Sequence, residues 1–114
     1  MEDRYLFKAK RVDNGKWVVW NIFSGLYGAD IDRYTVRQCT GLKDKNGKLI
    51  WENDIVKYRV YQHTEQLYKV IYDYEEGSWS LGCNSEPLYS IGRANSEKCE
   101  VVGNAFDNPE LLEV

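Results

Sequence analysis

Side chains able to do chemistry are few in this sequence. His63 is the single histidine, and it sits in the polar stretch RVYQHTEQLY. A general base needs a nucleophile to deprotonate or a carboxylate to orient it. The spacing around His63 specifies neither, so no catalytic residue is assigned. Asp30 and Asp32 form one carboxylate pair and Glu75 and Glu76 another. Hard cations take several oxygen ligands, so two carboxylates do not make a metal site. The first pair reads as solvated loop, the second as the charged tip of a hairpin. Gly41 to Gly47 departs from the phosphate-cradling loop, which needs Gly, four residues, Gly-Lys, Ser/Thr and a helix. Here Leu49 and a strand follow Lys48. Cys39, Cys83 and Cys99 are odd in number and contain no Cys-x-x-Cys pair. They read as free thiols, without a disulfide or zinc.

The remaining candidate surface is cationic and aromatic. Lys43, Lys45, Lys48, Lys57 and Arg59 lie in or beside a central hairpin, interleaved with Trp51 and Tyr58. Small barrels that bind nucleic acid combine a cationic groove with ring platforms for the bases. Against this stands a net charge of -3 and an isoelectric point near 5.2, because binding to a phosphate backbone draws its affinity from charge neutralisation. The charge is also divided. Residues 1–60 carry 12 Lys/Arg against 8 Asp/Glu, and residues 61–114 carry 3 against 10. Such a division suits either a basic face or two complementary surfaces that meet.

The elements that must position these residues are strands. At 114 residues, with 43% hydrophobic and 29% charged, the chain has the size and composition of one globular domain, 1–114. Nine Tyr, four Trp and three Phe supply much ring surface for a small core. No apolar run reaches membrane-spanning length. The opening MEDRYLFKAKR does not resemble a signal peptide, which predicts a cytoplasmic protein.

Turn signals recur and helical periodicity is nearly absent. Tyr5–Arg11 pairs with Trp17–Ile22 across Val12-Asp13-Asn14-Gly15-Lys16, where Asn-Gly supplies positive φ. WVVWNI is apolar on both faces and should be covered on both. Residues 23–37 form an irregular loop, broken by Gly25 and Gly28, that leads into a strand at about Tyr34–Thr40. A second Asn-Gly corner, Asn46-Gly47, precedes strands at Leu49–Trp51 and Asp54–Tyr61, and Asn53 between them suits a left-handed turn. LYKVIYDY and SWSLG form a third hairpin across Glu75-Glu76-Gly77. Residues 83–99 read as a long loop with a short strand near Leu88–Ile91. A last strand follows at Glu100–Gly103, and Asn108-Pro109 opens a single helical turn. Short strands between turns predict an all-β domain of antiparallel hairpins, a small partly closed barrel.

Three blocks carry a family resemblance: QCTGLKDKNGKLIWENDIVKY (38–58), VIYDYEEGSWSLG (70–82) and VVGNAFDNPELL (101–112). With the opening YLFKAKRVDNGKWVVW they resemble, in order, the YopX family of phage and prophage proteins. Cys39 stands where that family usually has an aromatic residue, and Asn53 where it usually has Gly. The resemblance implies a mostly-β, YopX-like or SH3-like barrel of phage or prophage origin. It implies no activity, so no catalytic residue carries over.

The expectation is therefore an accessory protein that acts by binding, to itself or to a protein partner, without catalysis, cofactor, metal or small-molecule substrate. The alternative is a nucleic-acid-binding barrel using Lys43, Lys45, Lys48, Trp51, Lys57, Tyr58 and Arg59.

Overall fold

The computed structural model describes residues 3–26, 30–60, 64–83 and 85–112, with Arg93 and Ala94 described by backbone alone. Gly28, His63 and the end of the strand expected at 54–61 lie outside the described residues. In chain order the strands are β1 (Leu6–Lys10), β2 (Trp17–Asn21), β3 (Arg37–Lys43), β4 (Leu49–Trp51), β5 (Asp54–Tyr58), β6 (Gln66–Asp73), β7 (Ser78–Cys83), β8 (Glu86–Ser90) and β9 (Glu100–Asn104). A four-residue helix, α1 (Arg93–Ser96), precedes β9. Short 3-10 turns occupy Asp3–Tyr5, Arg33–Thr35 and Pro109–Leu112, the last being the helical turn expected after Asn108.

The strands form two antiparallel sheets, ordered β2-β1-β3-β4 and β8-β7-β6-β5-β9. The chain is all-β, but the sheets are not closed into a barrel, and that expectation is corrected. The reason lies at the corner between β4 and β5. Asn53 takes φ +67°, and the Asp54 carboxylate accepts the Trp51 N–H at 2.8 Å, so the chain reverses sharply. Strand β5 then pairs with β6 on one side and β9 on the other. With both lateral edges filled it cannot continue the sheet of β4.

The β3–β4 hairpin stitches the sheets together instead. Asp44 is buried, and its Oδ1 accepts the N–H groups of Asn46 and Lys48, both at 2.9 Å, which folds the turn. Its Oδ2 accepts the N–H of Val101 on β9, also at 2.9 Å. Burial by itself would raise the Asp44 carboxyl; the donors from Val101, Lys48 and Asn46 outweigh it and hold the group below its ordinary range. The core cluster of Ile50, Val56, Tyr68, Val70, Leu81, Ile91 and Cys99 joins β4 to the second sheet, at about 1.5–3 kcal/mol for each large apolar side chain buried.

Both Asn-Gly corners are hairpins, but only their glycines take positive φ, Gly15 at +71° and Gly47 at +78°. A two-residue type I′ turn needs positive φ at both positions. The first loop is accordingly longer: Arg11 N–H reaches Lys16 O and Gly15 N–H reaches Arg11 O, each at 2.9 Å.

The irregular segment is better anchored than its sequence suggests. Val12 N–H donates to Asp30 O and Asp32 N–H to Lys10 O, both at 2.8 Å, so residues 30–32 run alongside the end of β1. Asp32 caps the next 3-10 turn by accepting the Tyr34 N–H at 3.0 Å. The following strand consequently starts at Arg37 and not at Tyr34. Within residues 83–99 the short strand expected near Leu88–Ile91 is β8, at Glu86–Ser90, and α1 follows it where loop was expected. Asn95 folds that region by accepting the Gly92 N–H and donating to Ser90 O, both at 2.7 Å.

Among the described residues no helix is long and apolar enough to cross a membrane.

Candidate functional site

The structure separates the residues of the basic hairpin into exposed cations and a covered tryptophan. Lys43 and Arg59 are exposed and Lys48 lies on the hairpin turn. Lys45 and Lys57 both face Glu100, at 3.6 and 4.0 Å. Tyr58 packs edge-on against Tyr68 beside the core. Trp51 is 7% exposed, so it is not the solvent-facing platform that base stacking requires. It pairs with Cys39 on β3 and the Lys8 side chain from β1 reaches its ring, contacts that alternation within three residues could not reveal.

An aromatic groove lies elsewhere, over the β6–β7 hairpin. One hollow of about 460 Å³ is lined by Phe7, Val36, Gln38, Glu52, Tyr72, Tyr74 and Trp79. A second, of about 270 Å³, adjoins it and shares Glu52, Tyr72 and Tyr74. Antiparallel register sets Tyr72 opposite Trp79, and their rings meet edge-to-face with centroids 5.2 Å apart. Tyr72 meets Tyr74 in the same way at 5.1 Å. Tyr74 stands at the hairpin tip, 87% exposed, next to Glu75 and Glu76. Val70, Tyr72 and Tyr74 alternate in the sequence, a pattern that a buried strand face shows equally well.

The sheet junction holds a second group, and nothing in the sequence pointed to it. Arg37 is fully buried. Its Nε donates to the Glu52 carbonyl at 2.6 Å and its Nη2 to Asp54 Oδ1. The guanidinium lies 5.1 Å from the Trp17 ring centroid and 5.9 Å from that of Phe106. Lys8 extends from β1 toward the same place, with Nζ 4.4 Å from the Trp51 ring centroid. Burial, then the nearby Arg37, lowers the Lys8 ammonium below its ordinary range against the pull of Asp54. Burial likewise lowers Arg37 and raises Asp54, in each case outweighing the attraction of the partner.

Asp107 closes the outer side of this junction. Its carboxylate pairs with Lys10 and accepts the indole N–H of Trp17 at 2.9 Å and the Asn104 amide at 3.1 Å. The hydrogen bonds from Lys10 and Trp17 dominate and bring Asp107 down to about 2. Among the described residues no group of three or more His, Cys, Asp or Glu is arranged to hold a metal ion. Asp32 is spent on its cap. Cys39 and Cys99 are buried free thiols, and Cys83 is exposed.

The family model described as YopX protein matches residues 4–113. Among solved structures, protein EF1440 from Enterococcus faecalis is similar to this chain at 30% identity, with 87% of this chain and 70% of that one covered and a TM-score of 0.55. No curated protein matches.

Proposed function

This chain belongs to the YopX family, and from that premise we propose that it is a phage- or prophage-encoded accessory protein of the bacterial cytoplasm that binds an extended polypeptide segment in the groove over β6–β7, without catalysis. One observation carries this reading: two adjoining hollows share Tyr72, Tyr74 and Glu52. Tyr and Trp supply large contact area at low entropic cost and are enriched where proteins meet. A continuous groove suits an extended chain better than a compact ligand.

Charge narrows the partner. Glu52 lies in the middle of the groove, Asp73, Glu75 and Glu76 flank its tip, and Lys69 stands at one end. The excess is acidic, which favours a partner segment rich in Lys or Arg, since cations also sit well over Tyr and Trp faces. The same excess repels a phosphate backbone. The nucleic-acid alternative has less support, because Trp51 is buried and Lys45 and Lys57 face Glu100.

Selection from a random peptide library against the full chain tests the proposal. Basic, extended peptides should be enriched, and Tyr74→Ser should weaken them by about tenfold, the scale of one interfacial anchor. Tyr74 is 87% exposed, so the variant should melt with the parent. Peptides that bind Tyr74→Ser as tightly, or the absence of any enriched sequence, would refute the reading.

Self-association has its own observation. Every residue of β8 is exposed, and β8 ends the second sheet, so its outer edge can pair with another strand. Light scattering should then give a mass above 13.4 kDa that falls to the monomer value in Leu88→Lys. A monomer at all concentrations excludes it.

A further inference from the structure

We propose that the cavity at the sheet junction binds a terminal phosphate group, the dianionic end of a small phosphomonoester. This goes beyond the polypeptide groove, which lies over other residues, and beyond the sequence, which offered no small-molecule site. The cavity measures about 250 Å³ and is lined by Lys8, Arg37 and Lys48, with Asp54 as the one carboxylate among the described residues and Trp51 on an apolar side. Three cations against one anion leave an excess of two positive charges. A phosphate dianion matches that excess, whereas a carboxylate or a phosphodiester matches half of it.

The positive charge at the cavity is only partly matched by partners. Arg37 Nε and Nη2 are taken by Glu52 O and Asp54. Its Nη1 is buried without a hydrogen-bond partner among the described residues. The buried guanidinium therefore acts on the cavity through its charge, while the exposed Lys48 and the Lys8 ammonium are the groups an oxyanion would meet directly. Lys8 has ring faces, not a carboxylate, against its ammonium among the described residues. The other carboxylates near Arg37 are committed elsewhere. Asp107 is held by Lys10, Trp17 and Asn104, and Glu52 Oε1 accepts the Gln38 N–H at 3.3 Å. The burial that lowers Lys8 beside Arg37 is the strain that a bound anion relieves.

The volume sets the scale of the ligand. Pockets for drug-sized molecules run from about 300 to 1,000 Å³. At about 250 Å³ this one takes a phosphoryl group with a few attached atoms, the apolar part against Trp51, Leu49 and Val101.

Titration calorimetry at pH 7.5 with phenyl phosphate, dimethyl phosphate and acetate decides the matter, with melting temperature as a second readout. Phenyl phosphate should bind saturably, and raise the melting temperature of the full chain. Dimethyl phosphate and acetate should bind at least about tenfold more weakly, the difference of about 1.4 kcal/mol expected when one of two charges goes unmatched. Lys8→Gln and Lys48→Gln should each weaken phenyl phosphate by a similar factor while melting, unliganded, close to the parent. Lys43→Gln, outside the cavity, should leave binding unchanged. Absence of saturable binding overturns the proposal, as does binding unchanged in both Lys8→Gln and Lys48→Gln. Dimethyl phosphate binding as tightly as phenyl phosphate also overturns it, in favour of a nucleic-acid backbone as the source. Equal binding of acetate overturns the dianion assignment.

Discussion

Arg37 on β3 and Asp54 on β5 are hydrogen-bonded in the interior, seventeen residues apart and on different sheets. Asp54 uses its second oxygen to accept the Trp51 N–H at 2.8 Å, so one carboxylate both turns the β4–β5 corner and fastens the two sheets. Burial opposes the charge on each partner, and the pair is held by geometry more than by a net electrostatic gain.

Breaking the pair on one side should therefore cost more than removing it. Arg37→Met leaves Asp54 buried without its cation and should lose about 3–5 kcal/mol. Adding Asp54→Asn removes the uncompensated charge and keeps an acceptor for Trp51 N–H. The double variant should be more stable than Arg37→Met, as read from urea midpoints in a double-mutant cycle. Additive losses would contradict this account of the junction.

Asp107 makes stability depend on acid. Its folded pKa of about 2 lies below its ordinary value of 3.8, so the unfolded chain takes up the proton first on acidification. Its contribution is complete above about pH 4 and disappears as pH falls toward 2. The side chain is 38% exposed, and solvent screening keeps the effect to about 1 kcal/mol or less. Asp107→Asn should be less stable than the parent at pH 6 and equal to it near pH 2, by tryptophan fluorescence during urea unfolding. A gap that persists at pH 2 would place the effect in packing instead.

Asn53 tests the corner between the sheets. At φ +67° it pays the left-handed penalty that glycine avoids and that alanine meets in full, roughly 1–2 kcal/mol. Its backbone bonds, N–H to Val70 O at 2.7 Å and carbonyl from Ala105 N–H at 2.9 Å, hold the conformation in any variant. Asn53→Ala should lose about 1 kcal/mol, and Asn53→Gly should match or exceed the parent. Equal midpoints for Ala and Gly would show that the corner is not strained.

The thiols should separate by accessibility. Cys83 is exposed, while Cys39 and Cys99 are buried, and burial, with Asp44 nearby, pushes Cys99 up to about 11. A thiolate is the reactive species. Under native conditions a disulfide reagent should modify Cys83 quickly and release three equivalents only on denaturation. Rapid native reaction of all three would show that the core opens readily.

Much of the fold was legible because its signals are local. Asn14-Gly15, Asn46-Gly47 and Glu75-Glu76-Gly77 mark turns through backbone chemistry that acts over four residues, and alternation names the paired strands on either side. The Asn53 corner was readable for the same reason. The short strand near Leu88–Ile91 was legible too, as β8 at Glu86–Ser90; helix α1 was hidden because the bonds that order it, such as Asn95 to Gly92 and Ser90, have no periodicity.

By itself, then, the sequence determined hairpins, all-β character and the family's pattern of blocks, since each depends on near neighbours. The tertiary structure alone decided that the sheets stay open, that Trp51 is covered, and that an arginine at the start of β3 lies in the interior. Those outcomes depend on which edges and charges meet across the fold. β5 reaches β9 only after the chain has travelled more than forty residues, and Arg37 is tolerable in the interior only because Asp54 arrives there from the other sheet.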